Sequence, residues 1–464
     1  MIEGLKPYEE YKESGQEWLG KVPAHWRTPR LKTVLRENDA RSLDGSGLLL
    51  SLTRNRGLIA RSDMTDKIHS ARTLAGYKLY EPGEIVMNRM QAWSGMFGAG
   101  DKHGLVSPDY AVFKLLGNEL GSLLLARIKA PDLVSQFALE SKGIGSGFNR
   151  LYSDKFGAIA ISLPPPDEQA AIVRFLDHAN RKIDGFVRAK RKLIGLLNEQ
   201  KQAIIHHAVT RGLPSRSPAN LKPSGIPWLG DIPKHWDVVR NMALFAHRVD
   251  SGIAGLPVLQ VSLHSGITAE DLDQFGRPKR LIADPTRYKL IRKGDLAYNT
   301  MRMWQGAVGV SPTDGLVSPA YVVVRPREGT CPEFYDHVFR TEVYKQQVNR
   351  QSTGIVSDRN RLYWDSFKQM PNVALPRSEQ VEIVRFIASE TTHLDTAIAR
   401  TEREIALMQE YRTRLTADIV TGKLDVREVA AKLPNPASES IAADANDGAL
   451  VEALSDDLEG KDVD

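Results

Sequence analysis

Few residues in this sequence have the types and spacing that catalysis needs. It contains no phosphate-binding GxxxxGK[ST] loop, no zinc-binding HExxH and no Cys/His cluster. His206 and His207 are adjacent, but they lie at a charged helix end and are interpreted as solvated side chains. The glycines of FGAG (97–100) faintly resemble a turn that holds S-adenosylmethionine. The corresponding VGVS (308–311) has only one of the two glycines, so the pattern is not kept, which favours a structural turn. The sequence therefore argues against an enzyme that acts alone.

A different chemistry is better represented, namely hydrogen bonding by polar side chains in glycine-bearing loops. The segment LTRNRGLIARSD (52–63) combines three arginines with an asparagine. Arg, Lys, Asn and Gln side chains match the edges of purine bases with paired hydrogen bonds, so such loops are suited to reading double-stranded DNA.

The charge distribution agrees with a nucleic-acid partner, although many soluble proteins are equally basic. Residues 433–464 hold nine acids and one lysine, so the rest of the chain carries +13 against +5 overall. The composition of this tail predicts disorder.

Cys331 is the only cysteine, which excludes an internal disulfide and fits a reducing cytoplasm. The longest apolar runs are far too short to span a bilayer.

The chain repeats itself with a period near 211 residues. LYEPGEIVMNRMQAWSGMFGAGDKHGLVSPDYAVFK (79–114) returns as LIRKGDLAYNTMRMWQGAVGVSPTDGLVSPAYVVVR (290–325), and residues 11–34 return at 221–244. This period is too long for a solenoid unit and matches a whole domain with its connector. The sequence therefore predicts two similar domains in tandem.

The repeat also sorts the candidate DNA contacts. If two domains read different bases, base-reading residues must differ between the copies, whereas shared residues hold the scaffold or contact phosphate. Shared scaffold candidates are Asn88 and Asn299, Trp93 and Trp304, Ser107-Pro108 and Ser318-Pro319, and Tyr110 and Tyr321. For Asn149, Arg150 and Tyr152, with Asn360, Arg361 and Tyr363, phosphate contact and a buried network remain equally open.

The predicted base readers are polar residues that differ between the two copies. In the first half they are Arg54, Asn55, Arg56, Arg89, Gln91 and Lys142. In the second half they are His264, Arg277, Lys279, Arg280, Arg302, Gln305 and Arg359. For each of them the alternative is a solvated surface charge.

These loops are expected to be carried by α+β domains, each followed by a long helix. Short β-type runs such as EIVMN and YVVVR precede helical segments, and each half ends in a heptad pattern that predicts a coiled-coil seam. Matched length and phase favour an antiparallel coiled coil between the two helices, with packing of each helix on its own domain as the alternative. The expected boundaries are 1–166 for the first domain, 167–212 for its helix, 213–220 for a linker, 221–377 for the second domain, 378–425 for its helix and 426–464 for the tail.

The repeated motifs resemble a known family. LPPPDEQAAIVRFLD (163–177) and LPRSEQVEIVRFIA (375–388) are similar to the segment that opens each long helix in specificity subunits (HsdS) of type I restriction–modification enzymes. GLVSPDY and GLVSPAY, and SGQEWLGKVPAHW with its repeat, resemble their target recognition domains. The resemblance covers roughly residues 11–425, and its strength lies in the order of the motifs, which occurs twice.

The resemblance implies a non-catalytic subunit that recognises a split DNA target. Each domain would read one half, and the paired helices would fix the distance between the halves. Two methyltransferase subunits would dock on the helices and bring S-adenosylmethionine for adenine-N6 methylation. Restriction subunits, which use ATP and Mg²⁺, would complete a nuclease. No cofactor or metal is expected on this chain itself.

Two other functions compete with this interpretation. A self-sufficient restriction–methylation enzyme would need the catalytic motifs that the sequence lacks. A stand-alone DNA-binding repressor would not need two long helices with a docking surface. Co-purification of a methyltransferase subunit would distinguish a specificity subunit from such a repressor.

Overall fold

The structure is a computed structural model that describes residues 4–64, 73–118, 120–143, 149–213, 220–263, 265–269, 284–353 and 360–434. The predicted tail from residue 435 onward and residues 214–219 of the linker lie outside this set. The chain divides into two units, Met1–Arg191 with Glu402–Asp464, and Lys192–Thr401. The predicted fold class is confirmed, because two similar α+β domains follow one another and each leads into a long helix.

The first unit contains most of the first sequence repeat. Its strands are β1 (Tyr11–Glu13), β2 (Lys21–Pro23), β3 (Leu35–Asn38), β4 (Leu50–Thr53), β5 (Gly57–Ala60), β6 (Lys78–Tyr80), β7 (Ile85–Asn88), β8 (Phe97–Gly98), β9 (Gly104–Val106) and β10 (Tyr110–Leu115). Its helices are α1 (Leu31–Val34), α2 (Gly121–Ile128), α3 (Pro131–Glu140) and α4 (Ser153–Ala158). The long helix α5 (Pro166–Arg211) begins in this unit and ends in the other.

The second unit contains the second repeat. Its strands are β11 (Leu221–Pro223), β12 (Asp231–Pro233), β13 (Asp237–Arg240), β14 (Phe245–Arg248), β15 (Val258–Ser262), β16 (Gly266–Ala269), β17 (Lys289–Ile291), β18 (Leu296–Asn299), β19 (Val308–Val310), β20 (Gly315–Val317), β21 (Tyr321–Pro326) and β22 (Pro371–Ala374). Its helices are α6 (Asn241–Leu244), α7 (Pro332–Arg340), α8 (Glu342–Gln351) and α9 (Trp364–Phe367). The long helix α10 (Arg377–Val420) begins here and returns to the first unit, where α11 (Arg427–Ala431) follows.

Each unit is organised around an antiparallel four-stranded sheet with the same order. The order is β3-β10-β7-β8 in the first unit and β14-β21-β18-β19 in the second. The central strands β10 and β21 show the same burial pattern, with three consecutive buried residues. In the first unit Phe97, Phe113 and Phe156 on the sheet and α4 form a ring cluster with centroid distances of 4.9–5.7 Å. Burial of these aromatic rings contributes to the hydrophobic stabilisation of the unit.

A close approach of backbones explains the FGAG turn. A Cβ added to Gly100 would lie 2.8 Å from the carbonyl oxygen of Leu58 on β5, and one added to Gly98 would lie 3.1 Å from Cα of Gly57. Backbone atoms cannot move aside as a flexible side chain can, so both positions need glycine. This supports the interpretation of the glycines as a structural turn.

Segments of the two long helices pack on each other within each unit. In the first unit Ile172 and Phe175 of α5 share a core with Leu415 and Ile419 of α10. Asp184 pairs with Arg412, and Lys190 pairs with Glu404 at 2.8 Å. The partner number falls as the α5 number rises, so these segments run antiparallel.

In the second unit the remaining segments make equivalent contacts. Ile205 and Val209 of α5 belong to the same core as Ile383 and Ile387 of α10, and Lys201 pairs with Asp395 at 2.5 Å. Both packing alternatives left open by the sequence are therefore present, since each helix contacts a domain core and the other helix. A continuous coiled coil over their whole length stays a prediction.

Candidate nucleic-acid interface

The first candidate readers occupy a tight hairpin turn. Thr53 pairs with Gly57 across β4 and β5, which leaves Arg54, Asn55 and Arg56 as a three-residue loop. Gly57 has φ +64°, the left-handed conformation that such a loop needs and that glycine adopts without strain. The Arg54 guanidinium donates to the carbonyl oxygen and the hydroxyl of Ser94 at 2.8 and 3.1 Å. This places the hairpin beside the loop that follows β7, with all three polar side chains exposed.

The loop that follows β7 has the same internal hydrogen bonds as its counterpart after β18. The side-chain oxygen Oδ1 of Asn88 accepts from the Met90 amide at 3.1 Å, and the Trp93 indole donates to the Met90 main-chain carbonyl at 3.0 Å. Asn299 and Trp304 make the corresponding bonds with Met301, both at 3.0 Å. These shared residues therefore shape the loop, in agreement with the scaffold interpretation.

The side chains that differ between the two loops are distinguished by their exposure and by their hydrogen-bond partners. Gln91 is exposed and accepts a 3.1 Å hydrogen bond from Asn88. Arg302 and Gln305 are also exposed, and the Arg302 Nε donates to the Gln305 side-chain oxygen at 2.8 Å. A bond between two exposed groups is readily exchanged for a base edge, so these three residues are suited to reading.

Arg89 is held more tightly than a free reader would be. Its guanidinium lies 2.5 Å from a Glu37 carboxylate oxygen, which Lys78 also contacts at 3.1 Å. Lys78 in turn lies 2.8 Å from Asp39, and hydrogen bonds from Lys78 and Arg41 lower the pKa of Asp39 to about 2. Contact between Arg89 and a base would therefore have to break a charge-assisted hydrogen bond.

The shared segments at 149–152 and 360–363 lie against the same loops. The Leu151 amide donates to the Arg89 carbonyl at 3.0 Å, and the Leu362 amide donates to the Thr300 carbonyl at 2.9 Å. Lys142 forms a backbone bridge with Arg150, and Thr353 forms one with Arg361. The segment thus occupies corresponding places in the two units.

The side chains of this segment are mostly accessible. Tyr152 and Tyr363 are about half exposed, at 51% and 49%. Arg150 pairs with Asp109 at 2.9 Å and lies 6.0 Å from the Tyr152 ring centroid, whereas Arg361 is exposed. Asn149 is partly buried, and Asn360 donates to the Asn349 side chain at 3.1 Å. Half-exposed aromatic and cationic groups fit phosphate contact better than a fully buried network.

The structure brings the first-half loops together, whereas part of the second-half set is not described. Predicted residues His264, Arg277, Lys279, Arg280 and Arg359 lie outside the described residues. Across the described part of the chain, no cluster of three or more potential metal-ligating side chains occurs. In that same part, no helix combines the length and hydropathy that crossing a membrane requires.

Sequence reasoning missed a buried acid that ties each domain to its long helix. Glu168 accepts from the Trp26 indole at 2.9 Å, lies 2.6 Å from His25 Nε2 and accepts from the Tyr8 hydroxyl. Burial, reinforced by Glu168, raises the pKa of Tyr8 well above its usual range, so the phenol stays a donor. In the second unit Glu379 accepts from the Trp236 indole at 3.1 Å and lies 2.8 Å from His235.

The neighbouring glutamines complete these junctions. Gln169 accepts from the Leu120 amide at 3.0 Å, and Gln380 accepts from the Cys331 amide at 2.7 Å. A signal for both residues was present in the sequence, because His-Trp and Glu-Gln are kept in both copies. Their role is structural, since they satisfy buried donors where the helices start.

Comparison with solved structures identifies the fold. A chain from a structure of complex assembly and conformational transition in the type I R-M system matches with TM-score 0.57 and 15% identity over 86% of this chain and 98% of that chain. The chain has the fold of a type I restriction–modification subunit. The resemblance drawn from the sequence is thus confirmed at the level of fold.

Two further matches come from more distant superpositions. The HsdS subunit from Thermoanaerobacter tengcongensis matches with TM-score 0.41 and 15% identity over 88% of this chain and 97% of that chain. The type I restriction–modification S subunit from M. genitalium matches with TM-score 0.32 and 11% identity over 84% of this chain and 95% of that chain. At these TM-scores they carry no argument of their own. Neither a protein-family model nor a curated protein matches the sequence.

Proposed function

We propose that this chain is the DNA-specificity subunit of a type I restriction–modification system and has no catalytic role of its own. The observation that carries the proposal is the internal correspondence of the two units. Equivalent loops are held by the same hydrogen bonds at Asn88 and Asn299, while the polar side chains beside them differ. A shared frame with different donors and acceptors is what two readers of different base sequences require.

The two units would each recognise one half of a split DNA target. In the aligned loops Arg89 corresponds to Thr300, and Gln91 corresponds to Arg302. Such pairs change both the charge and the hydrogen-bond pattern offered to a base. The half-sites are accordingly expected to differ, and bases between them are expected to be spanned without being read.

The long helices would act as a spacer and as the docking surface for partners. They contain 46 and 44 residues, which corresponds to about 69 and 66 Å at 1.5 Å per residue. The antiparallel contacts found within each unit support their pairing as a coiled coil. Two methyltransferase subunits would bind there and carry the S-adenosylmethionine chemistry at adenine N6. Where restriction subunits join, they would bring ATP hydrolysis and Mg²⁺.

The proposal is tested by mapping 6-methyladenine in a methylation-free host that expresses this chain with the methyltransferase subunit encoded beside it. A motif of two short constant blocks around an unspecified gap is the expected result. Methylation without the chain, or a continuous motif, would contradict the proposal. A soluble chain that binds a DNA sequence but recruits no methyltransferase would favour the repressor.

A further inference from the structure

A pocket of about 270 Å³ in the first unit lies next to the candidate interface. This volume is close to about 300 Å³, which is the lower end of the range of volumes for small-molecule sites. Its apolar walls come from α1, β3, β10 and α4 and include Leu31, Leu35, Phe113 and Phe156. Glu37 and Ser153 lie among the polar lining residues, and the Arg89 guanidinium contacts both of them.

The second unit shows what shape this space accommodates. Trp364 stands where the first unit has Ser153, and its indole stacks on the His247 ring at 5.1 Å with an interplanar angle of 17°. The same indole lies 5.9 Å from Phe367, which corresponds to Phe156 of the pocket. A planar aromatic ring therefore fills the equivalent position in one unit, whereas the other unit has a hydroxymethyl group there.

The rim of the pocket also differs in charge between the units. Lys32 and Arg36 line the pocket and are exposed, whereas the corresponding residues are Met242 and Ala246. Where the second unit has an indole and two uncharged residues, the first unit therefore has an open pocket and two cations. Cations at the mouth of an apolar pocket match a flat ring attached to an anionic group.

We infer that this pocket binds one unstacked DNA base, with Lys32 and Arg36 contacting its phosphate. Arg89 and Lys78 both contact Oε1 of Glu37, so Oε2 of Glu37 and the Ser153 hydroxyl are the acceptors offered to a base. They favour a base that carries an amino group, cytosine or adenine, because a carboxylate accepts from such groups. Tyr152, which directly precedes Ser153, is exposed beside the pocket. The inference rests on the proposed DNA-recognition function and adds a site that reads an extruded base.

The test compares two duplexes, one fully paired and one with a single unpaired cytosine, by fluorescence anisotropy with the full chain at low salt. The wild-type chain is expected to bind the unpaired-cytosine duplex about fivefold more tightly or better, as one extra stacking contact implies. Ser153→Trp, which fills the pocket as Trp364 does, should abolish this preference and leave affinity for the paired duplex unchanged. Ala158→Trp is the matched control, because it adds an indole at an exposed position of the same helix.

Equal binding of the two duplexes by the wild-type chain would overturn the pocket inference alone. Failure to bind either duplex, with and without the methyltransferase subunit, would count against the proposed function itself. If Ser153→Trp weakened capture of the methyltransferase subunit but kept the preference, the pocket would belong to a protein side chain and the inference would be wrong.

A second measurement does not depend on the folding of a variant. Saturation-transfer NMR on the wild-type chain with dCMP and with dTMP should show stronger transfer to the base protons of dCMP. Equal signals from the two nucleotides would overturn the assignment of an amino-bearing base.

Discussion

The Trp26 indole donates a 2.9 Å hydrogen bond to the buried carboxylate of Glu168, across 142 residues of chain. Because Trp26 is fully buried, this bond fixes the start of α5 on the segment that leads into the first domain. The corresponding bond from Trp236 to Glu379 does the same for α10.

Glu168→Ala should therefore destabilise the first unit. Removing the carboxylate leaves the buried donors of Trp26 and Tyr8 without an acceptor, at a cost of about 2–4 kcal/mol. Urea unfolding monitored by tryptophan fluorescence would measure the change. Asp167→Ala, at the adjacent exposed position, is the control and should have little effect. An unfolding midpoint equal to that of the wild type would show that the junction is not needed.

Acidification should destabilise the second unit through His337. Burial, together with the charges of Arg340 and Lys201, lowers the pKa of His337 to about 4. The unfolded chain binds this proton near pH 6.5 and the folded unit does not, so stability present above that pH is lost as the pH falls towards 4. The loss amounts to at most about 3 kcal/mol.

Urea unfolding at pH 7 and pH 5 would test this pH dependence. His337→Gln should reduce the difference between the two free energies of unfolding, whereas His393→Gln, at an exposed position of α10, should not. An undiminished difference in the His337 variant would assign the effect to another group.

Replacing Arg302 should change what the second unit reads. Its guanidinium is exposed and donates to the side chain of exposed Gln305, so Arg302→Ala should relax one base position at a cost of about 1–3 kcal/mol. The methylated motif in the co-expression host is the measurement. Arg292→Ala removes another exposed arginine, one paired with Asp314, and should leave the motif intact. An unchanged motif in the Arg302 variant would remove that residue from the set of readers.

Shortening α5 by one heptad should alter or abolish recognition of the split target. Deleting residues 188–194 removes about 10 Å of helix while keeping the phase of the apolar seam. The expected result is a motif with a different gap or no methylation. A control with exposed Arg188 and Arg191 changed to alanine keeps the length and should keep the gap. The same gap in the deletion variant would exclude the helices as the spacer.

The fold could be predicted from the sequence because its pattern is local and occurs twice. The short β-type runs such as YVVVR and the heptads of the long helices require only neighbouring residues to be interpreted. The ion pair between Arg89 and Glu37 could not be foreseen in this way, since it joins residues 52 positions apart in a pair that the second copy does not keep. The pocket could not be predicted from the sequence either. The difference between Ser153 and Trp364 becomes informative only in the structure, where Trp364 stacks on His247.

The way the first unit is assembled has a consequence for synthesis on the ribosome. Its core joins Tyr8 and Trp26 to Ile419 and Val426, and the Asp425 amide donates to the Lys6 carbonyl at 2.7 Å. The second unit, by contrast, is continuous from Lys192 to Thr401. The core that the first unit shares with α10 therefore cannot be completed until residue 426 has been synthesised, although most of that unit is translated first. The second unit has all of its residues available earlier, once residue 401 has been synthesised.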